Sequence, residues 1–468
     1  MAKIKPENFA GLGENVTHLE LTLQPEDYSL LTDLYQLTMS ACYVGESIEQ
    51  RRASFELTVR RLPENFGYLV AMGLAQALEY LEKLQFSPAQ IAALQASEIF
   101  SHAPDRFWTL LETARFTGDV WAVPEGTVVF ANEPLLRVEA PLWQAQIVET
   151  YLLNVLNYQT LIATRAARMR DAAGPQAVLL EFGTRRAFSP QAALWAARAA
   201  LAAGLDATSN VLAALQLGRQ PAGTMAHSLV MALATLQGSE MEAFTAFHRY
   251  FPGAPLLIDT YNTIAAADQL AQQVEAGTLT LEGVRIDSGD LVTLSQQVRS
   301  RLPGVPIFAS GDLDEWKIAE LRGAGACIDG YGLGTRLVTG EPVNGVYKLV
   351  ELDGLPVMKE ASGKLTYPGR KQIFRCFEHG QIHSDRLGLI TEMSNHEQPL
   401  LQPVLKQGER LQPLESLEAI AERTSLSVAS LPAELRRLQC PSPPPLEISA
   451  PLLELTNQTR HARPSRND

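Results

Sequence analysis

Residues Val284-Arg285-Ile286-Asp287-Ser288-Gly289-Asp290 place a short run with apolar ends directly before a polar turn that contains glycine. We predict a strand over 284–286 and a helix over 291–301, on the far side of the turn. A strand, a polar turn and a helix in this order form the unit from which parallel sheets are built.

The same unit recurs through the middle of the chain. Predicted strands at 177–182, 255–258, 306–309 and 326–329 alternate with helical patterns, and nearly all of them lead into a polar or glycine-rich loop. A (β/α) barrel builds its active site from such loops, whereas an open doubly wound sheet concentrates ligand residues at one switch point. We therefore predict an α/β fold with an irregular (β/α) barrel over residues 151–344.

The regions on either side of the predicted barrel have a different pattern. Residues 1–150 mix short helices with β-like runs, and residues 345–440 are β-rich with glycine-containing turns. If these two regions pair, the barrel is inserted in a discontinuous α+β domain. Residues 441–468 follow the proline-rich sequence Cys-Pro-Ser-Pro-Pro-Pro, and we predict an extended tail there.

Composition excludes several classes of function. The 468 residues include 39 Lys and Arg against 52 Asp and Glu, a formal net charge of −13. This chain lacks the basic footprint of a nucleic-acid-binding protein, although a few local arginines can still hold a phosphorylated ligand. No apolar run reaches the ~18–20 residues of a membrane helix, and no secretory signal is recognisable. The four cysteines form no CxxC pair, so we expect a reducing cytoplasmic location.

A histidine follows a glycine turn in Gly223-Thr224-Met225-Ala226-His227-Ser228. We predict that His227 begins a helix over 227–237. A lone histidine is more often structural or solvated than catalytic. Here glycine lets the backbone approach a ligand, and free N–H groups at a helix start suit an anion.

Charged side chains follow three of the predicted strands. Arg185 and Arg186 are either a surface pair or a fork for a carboxylate or phosphate, which guanidinium groups suit by geometry. Asp259, Asp287 and Asp290 could each be helix caps, and Asp290 fits that role best. Asp259 and Asp287 better suit ribose hydroxyls or Mg²⁺ beside a pyrophosphate.

Two glycine-containing loops have the composition of phosphate cradles, Ser310-Gly311-Asp312 and Gly332-Leu333-Gly334-Thr335. Such loops are common turns, but a barrel places its phosphate site at its last strands. Residues 359–375 are basic in an acidic protein, and their Gly, Pro and Ser suggest a mobile loop that closes over a polyphosphate. The predicted phosphate contacts are Ser310, Gly311, Gly332, Gly334, Thr335, Lys359, Lys364 and Lys371.

Together these motifs resemble those of the nicotinate phosphoribosyltransferases, a type II phosphoribosyltransferase family, over residues 28–375. The resemblance implies that nicotinate, 5-phosphoribosyl-1-pyrophosphate, ATP and water give nicotinate mononucleotide, pyrophosphate, ADP and phosphate, in a ligase-type reaction for NAD biosynthesis. It implies Mg²⁺ as the metal, without identifying its ligands. It also implies that ATP phosphorylates His227, with Asp259 and Asp287 beside it.

The resemblance further implies a nicotinate site. An aromatic residue after the first barrel strand stacks on the pyridine, and a tyrosine in Thr32-Asp33-Leu34-Tyr35-Gln36-Leu37-Thr38-Met39 reaches its other face across a homodimer interface. The related nicotinamide enzyme carries an aspartate where Ser209 aligns, with Asp206 as the shifted alternative; serine can donate to a carboxylate. The nicotinate contacts so implied are Tyr35, Phe182, Arg185, Ser209, Thr224 and Arg285.

Two other classes of function stay open from the residues alone. A sugar-phosphate lyase or aldolase would need a Schiff-base lysine in a barrel strand, and no strand predicted between 177 and 328 contains one. A non-catalytic sensor of NAD metabolites could retain the same binding residues. Turnover of ATP that depends on both nicotinate and 5-phosphoribosyl-1-pyrophosphate would separate these alternatives.

Overall fold

A computed structural model describes residues 23–361, 364–393, 396–442 and 446–462. The α-helices of these residues are α1 (Leu34–Gly45), α2 (Leu74–Glu82), α3 (Pro88–Gln95), α4 (Asp105–Glu112), α5 (Leu142–Ile147), α6 (Glu149–Ala173), α7 (Pro190–Ala202), α8 (Val211–Gln216), α9 (His227–Gln237), α10 (Glu240–Tyr250), α11 (Thr263–Glu275), α12 (Leu291–Arg301), α13 (Glu315–Gly323), α14 (Thr335–Val338), α15 (Leu417–Ala429), α16 (Ala433–Arg436) and α17 (Ala450–His461). Two short 3-10 helices span Pro25–Leu30 and Glu98–Phe100.

The strands of the same residues are β1 (Arg52–Val59), β2 (Leu69–Val70), β3 (Asp119–Ala122), β4 (Val128–Val129), β5 (Pro134–Pro141), β6 (Val178–Glu181), β7 (Ala207–Thr208), β8 (Leu256–Leu257), β9 (Val284–Ile286), β10 (Ile307–Ala309), β11 (Gly330–Leu333), β12 (Gly345–Leu352), β13 (Leu355–Pro356), β14 (Lys359–Ala361), β15 (Lys364–Thr366), β16 (Lys371–Glu378), β17 (Gln381–Leu389), β18 (Gln398–Pro399), β19 (Gln402–Lys406), β20 (Glu409–Arg410) and β21 (Leu446–Ile448).

A six-stranded parallel sheet occupies the middle of the chain, in the order β7-β6-β11-β10-β9-β8. Its first strand in sequence, β6, pairs with its last, β11, as the cyclic order of a barrel requires. Over 207–257, all of it described, β7 and β8 form no ladder with each other, so the sheet is open between them. The predicted α/β class with a parallel sheet is confirmed, and closure into a barrel stays a prediction.

The strands of the parallel sheet are short, and most of their residues are buried. Their apolar residues pack with helices α11, α12 and α13 in one continuous core, as expected when helices cover a parallel sheet. Asn262, Asp290 and Asp314 begin these helices, and each side chain accepts hydrogen bonds from backbone N–H groups of the first turn. Asp290 is therefore a helix cap, with its carboxylate on Val292 and Thr293.

A seven-stranded antiparallel sheet joins the two flanking regions, in the order β13-β12-β1-β5-β3-β19-β20. Strand β1 pairs with β5 on one side and with β12 on the other, with Ala53 opposite Leu352. Residues from both sides of the parallel sheet thus share one sheet, as the inserted arrangement predicts. The predicted domain boundaries at 150, 345 and 440 stay predictions.

The predicted strand at 326–329 and part of the predicted extended tail differ from the structure. The strand predicted at 326–329 lies at Gly330–Leu333, so Gly332 belongs to the strand and not to the loop after it. Part of the predicted extended tail 441–468 is ordered: β21 pairs with β17, and α17 begins after the N-cap Ser449. The rest of that prediction, at 443–445 and 463–468, lies outside the described residues. Within the described ranges no helix has the length and apolar character needed to cross a bilayer.

Candidate active site

His227 begins helix α9 and faces the loop that follows strand β8. Its Nδ1 lies 3.0 Å from the hydroxyl of Thr260, and its Nε2 lies 4.0 Å from Oδ1 of Asp259. The histidine side chain is partly exposed, whereas that of Asp259 is 3 % exposed. The imidazole therefore lies at the carboxyl end of the parallel sheet, next to a buried carboxylate.

Asp259 uses its two oxygens differently. Oδ2 accepts hydrogen bonds from the N–H of Asp287 at 2.8 Å and from the hydroxyl of Ser288 at 2.7 Å. Oδ1 is buried and has no hydrogen-bond partner among the described residues. One oxygen thus ties the loop after β8 to the loop after β9, and the other is left facing His227.

Asp287 connects the next pair of loops. It follows β9, and its Oδ1 accepts a hydrogen bond from the hydroxyl of buried Ser310, which follows β10. Gly311 comes next with a positive φ of 97°. Asp259, Asp287 and Ser310 therefore form one continuous line across the carboxyl ends of three neighbouring strands.

Arg285 lies in β9 and points toward the same acidic line. Its Nη2 donates to the carbonyl of Met225, two residues before His227, at 3.1 Å. Burial lowers the pKa of Arg285, the charges of Asp287 and Asp259 oppose that shift, and the charge of Arg185 adds to it. These four charges therefore act on one another, although Arg185 itself is exposed.

Phe182 follows β6 and lies against strand β11. A Cβ built on Gly332 would be 2.6 Å from ring carbons Cδ2 and Cε2 of Phe182, so the ring occupies the space that a side chain would take. The backbone N–H of Phe182 donates to Leu333 at 2.7 Å. Gly334 and Thr335, predicted to hold phosphate, lie at the start of the short helix α14. Gly332 is thus a seat for the Phe182 ring, and a phosphate contact at this residue stays a prediction.

Ser209 and Asp206 lie at opposite ends of strand β7. The hydroxyl of Ser209 donates to the carbonyl of Glu181 at 3.1 Å, at the end of the sheet that carries the other candidate residues. Asp206 accepts from Arg170 at 2.5 Å and from the N–H of Leu179 at 2.6 Å, near the start of β6. Ser209 therefore lies at the same end of the sheet as the other candidate residues, Asp206 lies at the opposite end, and the pyridine contact of Ser209 stays a prediction.

Comparison with known proteins places this chain in a family. Three family models match: the nicotinate phosphoribosyltransferase N-terminal domain over residues 30–157, the nicotinate phosphoribosyltransferase family over 178–306, and the C-terminal domain over 389–456. Nicotinate phosphoribosyltransferase pncB2 of Mycobacterium tuberculosis is 42 % identical over 422 residues, covering 88 % of this chain and 89 % of that protein. The chain belongs to the nicotinate phosphoribosyltransferase family.

Other known proteins are also similar to this chain. The nicotinate phosphoribosyltransferase of Bacillus subtilis is 42 % identical over 404 residues, covering 82 % of this chain and 80 % of that protein. A crystal structure of human nicotinic acid phosphoribosyltransferase superposes with a TM-score of 0.81 at 30 % identity, covering 91 % of this chain and 99 % of that one. Nicotinate-nucleotide pyrophosphorylase from Pyrococcus furiosus gives 0.72 at 26 % identity, covering 88 % and 98 %.

The family resemblance implied two further nicotinate contacts, Tyr35 and Thr224. Tyr35, in the first turn of α1, is 46 % exposed, and it forms no described contact with Phe182 or His227. Thr224 lies in the loop before His227 and is partly exposed. Whether Tyr35 completes the site of a second subunit stays a prediction.

The three predicted phosphate-binding lysines differ in their surroundings. Lys359 is exposed in β14, and the side chain of Lys364 lies outside the described part of the structure. Lys371 is 3 % exposed, and its ammonium lies 2.9 Å from Oε2 of Glu56 and donates to the carbonyls of Tyr367 and Gly369. A phosphate contact would require Lys371 to leave a buried ion pair, and its phosphate role stays a prediction.

Two glutamates near the cluster were not predicted from the sequence. Glu240 is the first residue of α10, and burial together with the charge of Asp259 raises its pKa to about 7. Glu181 ends β6 and is fully buried. A charged residue at the end of an otherwise apolar strand was a signal that could have identified Glu181, whereas an acidic residue in a first helical turn is too common to single out Glu240.

Proposed function

We propose that the chain transfers a phosphoribosyl group from 5-phosphoribosyl-1-pyrophosphate to nicotinate for NAD synthesis, coupled to ATP hydrolysis. The observation that carries this proposal is the imidazole of His227 at 4.0 Å from a buried oxygen of Asp259 that has no other described partner. Membership in the family supports the substrates, and this pair supports a phosphorylated histidine. The products are nicotinate mononucleotide, pyrophosphate, ADP and phosphate.

The surroundings of His227 favour one tautomer. An unpartnered carboxylate oxygen near Nε2 favours a proton on that nitrogen, because Nε2–H is the donor the oxygen lacks. The lone pair then lies on Nδ1, which accepts from Thr260 in the resting site. We infer that Nδ1 attacks the γ-phosphorus of ATP, a nitrogen–phosphorus bond forms, and the bond to the β,γ-bridging oxygen breaks to release ADP. Water later hydrolyses the nitrogen–phosphorus bond and releases phosphate.

The transfer step needs positioning more than proton transfer. The bond between C1 of the ribose and the pyrophosphate oxygen breaks, and the pyridine nitrogen of nicotinate forms the new bond with its own lone pair. Positive charge develops at C1, and carboxylates such as Asp287 and Asp259 stabilise it. Phe182 orients the pyridine ring, Arg185, Arg285 and Ser209 suit its carboxylate, and the loops at Ser310 and Thr335 suit the phosphates.

The line of Asp259, Asp287 and Ser310 suits Mg²⁺ that is bound to the phosphates of a substrate. Among the described residues no group of three His, Cys, Asp or Glu side chains is arranged to hold a metal ion. Mg²⁺ commonly takes one or two carboxylates together with substrate phosphates, and Asp287 would hold it in this way. When bound, the ion would offset charge on the departing pyrophosphate.

Three further features belong to the same proposal. Leu31, Leu34 and Tyr35 are exposed apolar residues at the start of α1, which supports a homodimer in which each subunit completes the site of the other. The four cysteines are free thiols, which supports a cytoplasmic location. The cyclic strand order supports an irregular barrel that is open between β7 and β8.

The test is nicotinate-dependent ATP turnover by the full chain with 5-phosphoribosyl-1-pyrophosphate, with ADP and nicotinate mononucleotide measured together. Wild type should form both products and an acid-labile phosphohistidine. His227→Ala should lose the phosphohistidine and the ATP coupling, and Asp259→Asn should lower the extent of phosphorylation. The exposed His102→Ala is the matched control and should behave as wild type. An unchanged ratio of ATP to product in His227→Ala would refute the role of this residue.

A further inference from the structure

Glu181 lies at the centre of a small hydrogen-bonded group at the carboxyl end of β6. Its Oε1 accepts from the N–H of Gly183, and its Oε2 accepts from the hydroxyl of Thr208. Its backbone carbonyl accepts from both the N–H of Ser209 at 2.9 Å and the hydroxyl of Ser209 at 3.1 Å. One residue therefore holds the turn after Phe182 and the end of strand β7.

The carboxyl group of Glu181 is buried at a considerable energetic cost. The side chain is 0 % exposed, and no Lys, Arg or His of the described ranges forms an ion pair with it. Burial raises its pKa, while the bonds from Thr208 and Gly183 act in the opposite direction. A buried carboxyl without a cationic partner is unfavourable, and folds tolerate such local costs mainly where function requires them.

The turn that Glu181 supports has little freedom on its other side. A Cβ built on Gly183 would be 2.2 Å from Cγ1 of Val338, so the backbone of this turn lies directly against helix α14. Thr208 is fixed in turn, because its hydroxyl also accepts from the N–H of Asn210 at 2.9 Å, and Asn210 caps helix α8. The carboxyl group of Glu181 is thus held between Gly183 and Thr208, and each of these residues is itself fixed by its other contacts.

We propose that Glu181 is the positioning residue of the pyridine site, setting the distance between the ring seat at Phe182 and the hydroxyl of Ser209. This role rests on the proposed function, because it concerns where nicotinate is held. In this role Glu181 touches neither the pyridine ring nor the phosphoribosyl group of the substrates. It acts through Gly183, Thr208 and Ser209. Loosening this group should weaken the binding of nicotinate more than the binding of 5-phosphoribosyl-1-pyrophosphate.

The experiment compares Glu181→Gln and Thr208→Val with wild type by steady-state kinetics. Glutamine keeps the shape but replaces one carboxylate oxygen by an NH₂ group that cannot accept a hydrogen bond from Gly183 or Thr208. Valine removes the Thr208 hydroxyl, which also accepts from the N–H of Asn210. Each variant should raise the KM for nicotinate about tenfold, with kcat changed less than about threefold and the KM for 5-phosphoribosyl-1-pyrophosphate within about twofold. Because Glu181 and Thr208 share one hydrogen bond, the effects of the two substitutions on the KM for nicotinate should add only in part in the double variant.

Controls separate this role from a merely structural one. Glu275→Gln, at the exposed end of α11, should leave all constants unchanged. A structural role alone would lower the melting temperature and the yield of active protein at an unchanged KM for nicotinate. That outcome, or an unchanged KM in Thr208→Val, would overturn the positioning role. Wild type without nicotinate-dependent turnover would instead overturn the proposed function itself, so the two failures are distinguishable.

Discussion

Gly332 and Phe182 are complementary: the absence of a side chain on the strand residue is what allows the aromatic ring to pack against β11. The ring carbons Cδ2 and Cε2 approach the position of a Cβ on Gly332 to 2.6 Å, and the Cβ of Ser310 approaches it to 3.2 Å. Ser310 is also bonded to Asp287. The position of the ring is therefore linked to the loop that is proposed to face the ribose.

Gly332→Ala should displace the Phe182 ring, because one added carbon cannot fit in a contact of 2.6 Å. We expect the KM for nicotinate to rise about tenfold or more, and the free energy of unfolding to fall by about 1–3 kcal/mol from overpacking. Steady-state kinetics and urea unfolding measure the two effects. Gly323→Ala, where an added Cβ meets nothing within 4 Å, is the matched control. An equal KM for nicotinate in the two variants would contradict the role of Gly332 as the seat of the Phe182 ring.

Ser209→Asp should change the preference between the two pyridines. A carboxylate at this position repels nicotinate and can accept from the amide of nicotinamide. We expect the ratio of kcat/KM for nicotinate over nicotinamide to fall at least about tenfold, which corresponds to about 1.4 kcal/mol. Asp206→Asn is the control, since that side chain is bonded to Arg170 at the opposite end of β7. If Asp206→Asn alone changed the preference, the assignment to Ser209 would be wrong.

Glu240 should make stability depend on pH. Its pKa is raised from the ordinary 4.5 to about 7 in the folded chain, so the folded state binds this proton more tightly than the unfolded state does. The contribution of Glu240 to the free energy of unfolding is therefore favourable at low pH, where the group is protonated, and is lost as pH rises through about 7. Glu240→Gln, measured by thermal unfolding with EDTA, should lose less stability than wild type between about pH 5 and about pH 8. Exposed Glu242→Gln, in the same helical turn, should follow wild type.

Lys371→Met should act on stability and not on phosphate binding. The substitution leaves Glu56 buried without its cation, a change that typically costs about 3–5 kcal/mol. Urea unfolding should show this loss, while the KM for 5-phosphoribosyl-1-pyrophosphate stays within about twofold for the protein that folds. Lys359→Met, at an exposed position of β14, should leave stability unchanged. A normal stability together with a large rise in that KM would restore the phosphate role of Lys371.

Local signals in the sequence were sufficient for much of the site. The strand at Val284–Ile286 and the helices at His227–Gln237 and Leu291–Arg301 have the predicted bounds, because each has an apolar pattern and a clear start. The residues predicted at the strand ends, such as Asp259 and Asp287, lie together because parallel strands end at one edge of the sheet.

The missed features depend on contacts between residues that are distant in sequence. Glycines in β11 suggested a turn, but a Cβ on Gly330 would lie 2.6 Å from the ring of Phe308, so the strand needs glycine for close packing. The basic run around Lys371 suggested a loop, because its partner Glu56 lies in another strand far along the chain. The sequence Ser449-Ala450-Pro451 carried a helix-start signal that the preceding prolines obscured.

The pairing of β1 with β12 also has a consequence for biosynthesis. Residue 53 emerges from the ribosome well before residue 352, its partner across the sheet. At roughly 5–20 residues per second the delay is roughly 15–60 s. During this interval one edge of β1 exposes unpaired backbone groups to other nascent chains. Co-translational chaperones should therefore matter most for this protein before translation reaches β12.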